Sequence, residues 1–121
     1  MICIIDSNFL LVPYQFKVDV INEIKSLGFQ PLLLSCVVEE LRSISGNKGK
    51  AGSAAKIALE LIEKKKLRIE KAECPADAAI LNYSVMNKCA VATNDVRLIR
   101  KLKSNGIKVI RLRQKKLVVV E

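Results

Sequence analysis

The first apolar run of this chain, Ile2-Cys3-Ile4-Ile5, leads straight into Asp6, and a later one, Val91-Ala92-Thr93, delivers Asp95 two residues on. An apolar, β-branched run without polar alternation suits a strand covered on both faces, as in the middle of a parallel sheet. A carboxylate directly after such a strand stands at its C-terminal end, where open α/β sheets form their ligand crevices. One aspartate of this kind reads most simply as the start of an Asx turn, with Ser7 and Asn8 able to cap the next turn of chain. Two of them, on separate strands, make a pattern.

The remaining chain supplies strands and helices in alternation. Val18 to Phe29 places Val20, Ile21, Ile24 and Leu27 on one helical face, with Gly28 as the stop. Pro31 to Leu34 is a second apolar run. Ser35 then stands where it can cap a helix over Cys36 to Ile44, whose Val37, Leu41 and Ile44 recur at helical spacing and whose early turns carry Glu39 and Glu40. Gly46 to Ser53, GNKGKAGS, reads as a basic, glycine-rich flap able to touch phosphates, or equally as a solvated connection. It lacks the spacing of a P-loop.

An alanine-rich helix from Ala54 to Lys66 leads to a candidate strand, Leu67 to Ile69. Pro75 opens a further helix that runs to Lys88, with its Ala, Ile, Leu, Tyr and Met on the packing side. Asp77, in the first turn, could simply answer the helix dipole. Strand Cys89 to Thr93, a helix from Asp95 to Ser104 capped by Asn94 and stopped by Gly106, and strand Ile107 to Leu112 come next. Leu117 to Val120 can add an edge strand. The order predicts an α/β fold, a three-layer α/β/α arrangement with a central parallel sheet, built as a single domain over 1–121.

Composition removes whole classes of chemistry. There is no histidine, so Ser-His-Asp and Cys-His catalysis are excluded, as is a histidine general base. Cys3, Cys36, Cys74 and Cys89 are widely spaced without a CxxC pair, which argues for buried thiols over a zinc site or a disulfide scaffold. No apolar run is long enough to span a membrane, and the N-terminal sequence does not read as a signal peptide, so a cytoplasmic protein is expected.

The net charge is +9, and from Val96 to Val120 there are nine Lys or Arg residues and no acid, a face that attracts polyanions such as nucleic acid. Aromatic residues make up only 4% of the chain. The few available for base stacking, Tyr14, Phe16 and Tyr83, are better read as packing residues.

Asp6, Glu40, Asp77 and Asp95 all fall at one edge of such a sheet. Carboxylates gathered without basic partners repel, and a hard divalent cation, Mg²⁺ or Mn²⁺, relieves the repulsion. A basic surface around an acidic metal site describes a nuclease.

The order of an apolar strand ending in DSN, a helix bearing VVEEL, then PADAAIL, then VATND resembles the PIN domain family of compact metal-dependent nucleases, over essentially the whole chain. NFLLVPYQFKVDV resembles the archaeal relatives of PIN nucleases that process small-subunit pre-ribosomal RNA more than it does the VapC toxin branch. The resemblance implies that Asp6, Glu40, Asp77 and Asp95 are the catalytic, metal-binding quartet. It places hydroxyls at Ser7 and Thr93 near the metal and makes Asn8 and Asn94 candidates to orient ligands.

It further implies a divalent-metal-dependent endoribonuclease that hydrolyses phosphodiesters of a single-stranded or structured rRNA precursor. Lys48, Lys50, Arg97, Arg100 and Lys101 are then the candidate phosphate contacts. Arg97 stands where many relatives carry a further Asp, which weakens a second metal site and leaves a non-catalytic RNA-binding assembly factor as an alternative beside a toxin. Ribosome-assembly proteins are possible partners, and a homodimer could form through LLVPYQF.

Overall fold

A computed structural model describes residues 1–11 and 19–113, and the backbone of 116–120. The order of elements is β1 (Ile2–Ile5), α1 (Ser7–Leu10), α2 (Val20–Ser26), β2 (Gln30–Leu34), α3 (Ser35–Ser45) and α4 (Lys50–Lys64). It continues with β3 (Arg68–Glu70), α5 (Ala76–Asn87), β4 (Ala90–Ala92), α6 (Val96–Ser104), β5 (Val109–Arg113) and β6 (Lys116–Val120). The strands form one sheet in the order β3-β2-β1-β4-β5-β6, with the first five parallel and β6 antiparallel at the edge. Helices flank this sheet, which is the expected α/β/α arrangement.

The apolar runs explain which strands lie inside. Cys3, Ile4 and Ile5 of β1, Leu33 and Leu34 of β2 and all of β4 are completely buried. Their registers bring Ile4 beside both Leu32 and Val91. With so few aromatics available, the core is aliphatic, and Phe9 is its one fully buried ring among the described residues. No described helix is long and apolar enough to cross a membrane.

The chain builds β1, β2 and β3 outward in one direction, then returns to lay β4 and β5 on the other side of β1. The C-terminal ends of β1 and β4 are therefore the point where the winding reverses, the place where open parallel sheets leave a crevice. Asp6 and Asp95 both follow these two ends.

Several local expectations are corrected. Ser35 does not cap α3. The helix begins at Ser35 itself, and its hydroxyl donates to the Ala72 carbonyl (3.0 Å) and accepts from the Ala72 N–H (2.9 Å), pinning a distant loop instead. Asn94 does not cap α6 either. Asp95 does, while Asn94 Oδ1 accepts the Leu112 N–H at 2.9 Å and ties the loop after β4 to β5. Val20, Ile21 and Ile24 pack inward as expected, but Leu27, the C-cap that follows α2, is 45% exposed. On α5, Ala76, Ile80 and Ser84 are buried and Ala79, Leu81 and Tyr83 pack against the core as expected, but Met86 is 82% exposed.

The glycine-rich flap is shorter than expected, because α4 already starts at Lys50. Gly52 lies buried in its first turn, and a Cβ there would come within 1.9 Å of the Asn47 carbonyl oxygen. Part of the glycine content of this stretch thus serves a close backbone approach. Cys3, Cys36 and Cys89 are buried thiols as expected, whereas Cys74 is exposed. The expectations for Tyr14, Phe16 and most of LLVPYQF lie outside the described residues. Within that stretch Leu10 is buried and Leu11 partly so.

Candidate active site

Asp6 is held in place by β1. The Asp6 N–H continues the sheet by donating to the Ala92 carbonyl (3.0 Å), and its side chain turns back to cap α1. Oδ1 accepts the Ser7 N–H at 2.8 Å and Oδ2 accepts the Thr93 hydroxyl at 2.8 Å. Only 4% of Asp6 is exposed. A buried carboxylate is costly unless hydrogen bonds or a counter-charge answer it. Burial pushes the Asp6 carboxyl above its ordinary value, the Thr93 and Ser7 hydrogen bonds pull against that, and the charges of Asp77 and Glu40 add to the rise.

The charges of Asp77 and Glu40 thus act on Asp6 from two other segments. Glu40 comes from the second turn of α3 and Asp77 from the first turn of α5, helices that follow β2 and β3. Ser7 links two of these segments directly, since its hydroxyl donates to Glu40 Oε1. Glu39 is directed elsewhere, accepting from the Cys74 thiol at 3.5 Å.

Asp95 joins through Thr93. The Thr93 hydroxyl that donates to Asp6 also accepts the Asp95 N–H at 3.1 Å. Asp95 Oδ1 caps α6 by accepting the N–H groups of Arg97 (2.9 Å) and Leu98 (3.3 Å). Asp95 thus has a structural duty beside any chemical one. Asn8 is exposed on α1, and Asn94 is committed to β5.

The chemistry of these donors suits a hard divalent cation. They are carboxylate oxygens only, and the two ion pairs found among the described residues, Lys65 with Asp19 and Arg68 with Glu70, use none of them. No group of three or more Asp, Glu or Cys side chains placed to hold a metal ion together is found among the described residues. A cation here would rest on one or two carboxylates and complete its shell with water and phosphate oxygens, the arrangement usual for Mg²⁺.

The candidate basic residues are exposed, with no side-chain hydrogen bond to this network. Arg97, Arg100 and Lys101 are exposed on α6, whose Leu98, Ile99 and Leu102 pack inward. Lys48 is exposed in the turn before α4 and Lys50 in its first turn. Their side chains take no part in the hydrogen bonds around the acids.

Two links could not be read from the sequence, Ser7 to Glu40 and Ser35 to Ala72. Each is a serine paired with a residue more than thirty positions away, and nothing local marks such a partner. Thr93 carried a weak signal, a hydroxyl at the end of a buried strand.

Comparison with known proteins gives three findings. Residues 3–115 match the family model described as a PIN like domain. The chain is 32% identical over 120 residues to Ribonuclease VapC9 of Archaeoglobus fulgidus, covering 98% of this chain and 87% of that protein. It is also similar to the structure of the PIN domain endonuclease Utp24, with a TM-score of 0.81 and 26% identity over 97% of this chain and 89% of that one.

Proposed function

This chain belongs to the PIN-like domain family, and from that premise we propose that it is a divalent-metal-dependent endoribonuclease. The observation that carries the reading is the buried Asp6 carboxylate at the winding reversal of the sheet, linked through Thr93 to Asp95 and acted on by the charges of Asp77 and Glu40. Carboxylates brought together in this way cost stability unless they serve a cation.

Asp6, Glu40, Asp77 and Asp95 would hold Mg²⁺ or Mn²⁺. The ion, when bound, offsets charge on the phosphate oxygens and lowers the pKa of water at the site. The residues of the chain position that site. Thr93 fixes Asp6 Oδ2 by donation and Ser7 holds Glu40 through its hydroxyl. Asp95 is oriented by the α6 N–H groups that it caps. Lys48, Lys50, Arg97, Arg100 and Lys101 would bind RNA through its phosphates, without reading sequence.

For the biological role we favour ribosomal RNA processing, in keeping with the resemblance carried by NFLLVPYQFKVDV, while the likeness to Utp24 supports an endonuclease. A VapC-type toxin is the second reading, supported by the 32% identity to VapC9. An adjacent antitoxin gene would favour the toxin.

The test is cleavage of a labelled single-stranded RNA with Mn²⁺, Mg²⁺ or EDTA, run beside Asp6→Asn and Asp95→Asn. Cleavage that requires metal and is lost in both variants is the expected result. Retained RNA binding without cleavage would replace the nuclease by an assembly factor.

A further inference from the structure

A pair of cysteines lies behind the acids and takes no part in the proposed chemistry. Cys36 is in the first turn of α3, one turn before Glu40, and Cys74 stands three residues before Asp77. Ser35, next to Cys36, holds the backbone of Ala72 by two hydrogen bonds, so the segment leading to Cys74 is clamped against the start of α3. The Cys74 thiol donates to Glu39 Oε2 at 3.5 Å, three residues along α3 from Cys36, and each thiol perturbs the other's titration. One is buried and the other exposed, opening into a cleft lined by Ser35, Glu39 and Lys71.

We propose that Cys36 and Cys74 are a modification site, closing a reversible intramolecular disulfide when the protein meets a low-molecular-weight disulfide. A disulfide needs two sulfurs whose backbones are neighbours, and the Ser35 to Ala72 clamp, one residue before Cys36 and two before Cys74, holds their segments together before any oxidation. The exposed Cys74 thiolate attacks one sulfur of the oxidant and expels its other half as a thiolate. The Cys36 thiolate then displaces the second half from Cys74. Two electrons pass from the cysteines to the oxidant, and the two protons leave with the released thiols.

Desolvation and the Glu39 carboxylate hold the Cys74 thiol at about 11, and burial raises Cys36 as well. Thiolate is therefore scarce near neutral pH, and closure is slow. Cys3 in β1 and Cys89 just before β4 lie on segments that the Ser35 to Ala72 clamp does not hold against Cys74. The bond joins the helix bearing Glu40 to the turn that leads into Asp77, so it braces two segments of the acid site. The proposal concerns the thiols alone and stands whether or not the chain cuts RNA.

The full chain is incubated with glutathione disulfide in mildly alkaline buffer, quenched with acid, alkylated and mapped without reduction. The expected product has lost two hydrogens, contains a peptide linking Cys36 to Cys74, returns to the free thiols with dithiothreitol, and melts several degrees higher than the reduced chain. Cys36→Ser should stop at one glutathione on Cys74, and Cys74→Ser should form no internal bond. A wild-type chain that yields no such linked peptide, keeps glutathione on Cys74, or links Cys3 or Cys89 instead overturns the proposal.

Discussion

The Thr93 hydroxyl donates a 2.8 Å hydrogen bond to Asp6 Oδ2 although 87 positions separate the two residues, and both are almost wholly buried. The same hydroxyl accepts the Asp95 N–H. One oxygen thereby sets the spacing between the acids that end β1 and follow β4.

Replacing that oxygen by a methyl group tests its role. Thr93→Val keeps the volume but leaves Asp6 Oδ2 and the Asp95 N–H unanswered, which should cost about 1–3 kcal/mol of stability. RNA cleavage should fall with it. Thr93→Ser restores the hydroxyl and should recover both. Denaturant melts beside cleavage assays check this, and a valine variant as stable and active as wild type would refute it.

Asp95 is expected to show two separable functions. Asp95→Ala removes the cap of α6 and should lose about 0.5–2 kcal/mol together with activity. Asp95→Asn retains a capping oxygen, so it should keep nearly all of the stability and still lose metal-dependent cleavage. Equal activity in the asparagine variant and wild type would leave Asp95 a cap only.

The acidic site makes the metal-free protein sensitive to pH. Asp6 is raised from 3.8, by burial first, with Asp77 and Glu40 adding to the rise. The folded chain then holds this proton more tightly than the unfolded chain does. Its stabilising contribution is full below the unfolded value and is lost as pH rises through the higher folded value. Asp6→Asn should therefore melt at or above the wild-type temperature at neutral pH without metal. Mn²⁺ should raise the melting temperature of wild type and leave that of the variant nearly unchanged. An equal rise in both would separate Asp6 from metal binding.

Gly52 tests the turn between α3 and α4. Its Cβ position lies 1.9 Å from a backbone oxygen, so Gly52→Ala should destabilise by about 1–3 kcal/mol through forced backbone movement. Because Lys48 and Lys50 flank that turn, RNA affinity should weaken as well. A stable alanine variant would mean that the turn yields freely.

The alternation of elements and the buried strands are legible in the chain alone. Their signals are local: an unbroken apolar run with a polar residue at its end, or a period of three to four along a helix. Local signals also mislead in a local way. The side chains of Ser35 and Asn94 are of the right kind to cap the helices beside them, and a glycine-rich stretch is of the right kind to form a flap. Packing overrides both expectations, because hydrogen bonds to Ala72 and Leu112 depend on segments brought in from far along the chain. The same holds for the site. The alternation of elements puts residues 6, 40, 77 and 95 toward one edge of the sheet, but the links of Asp6 to Thr93 and of Ser7 to Glu40 join residues far apart in the chain and exist only once the sheet is wound.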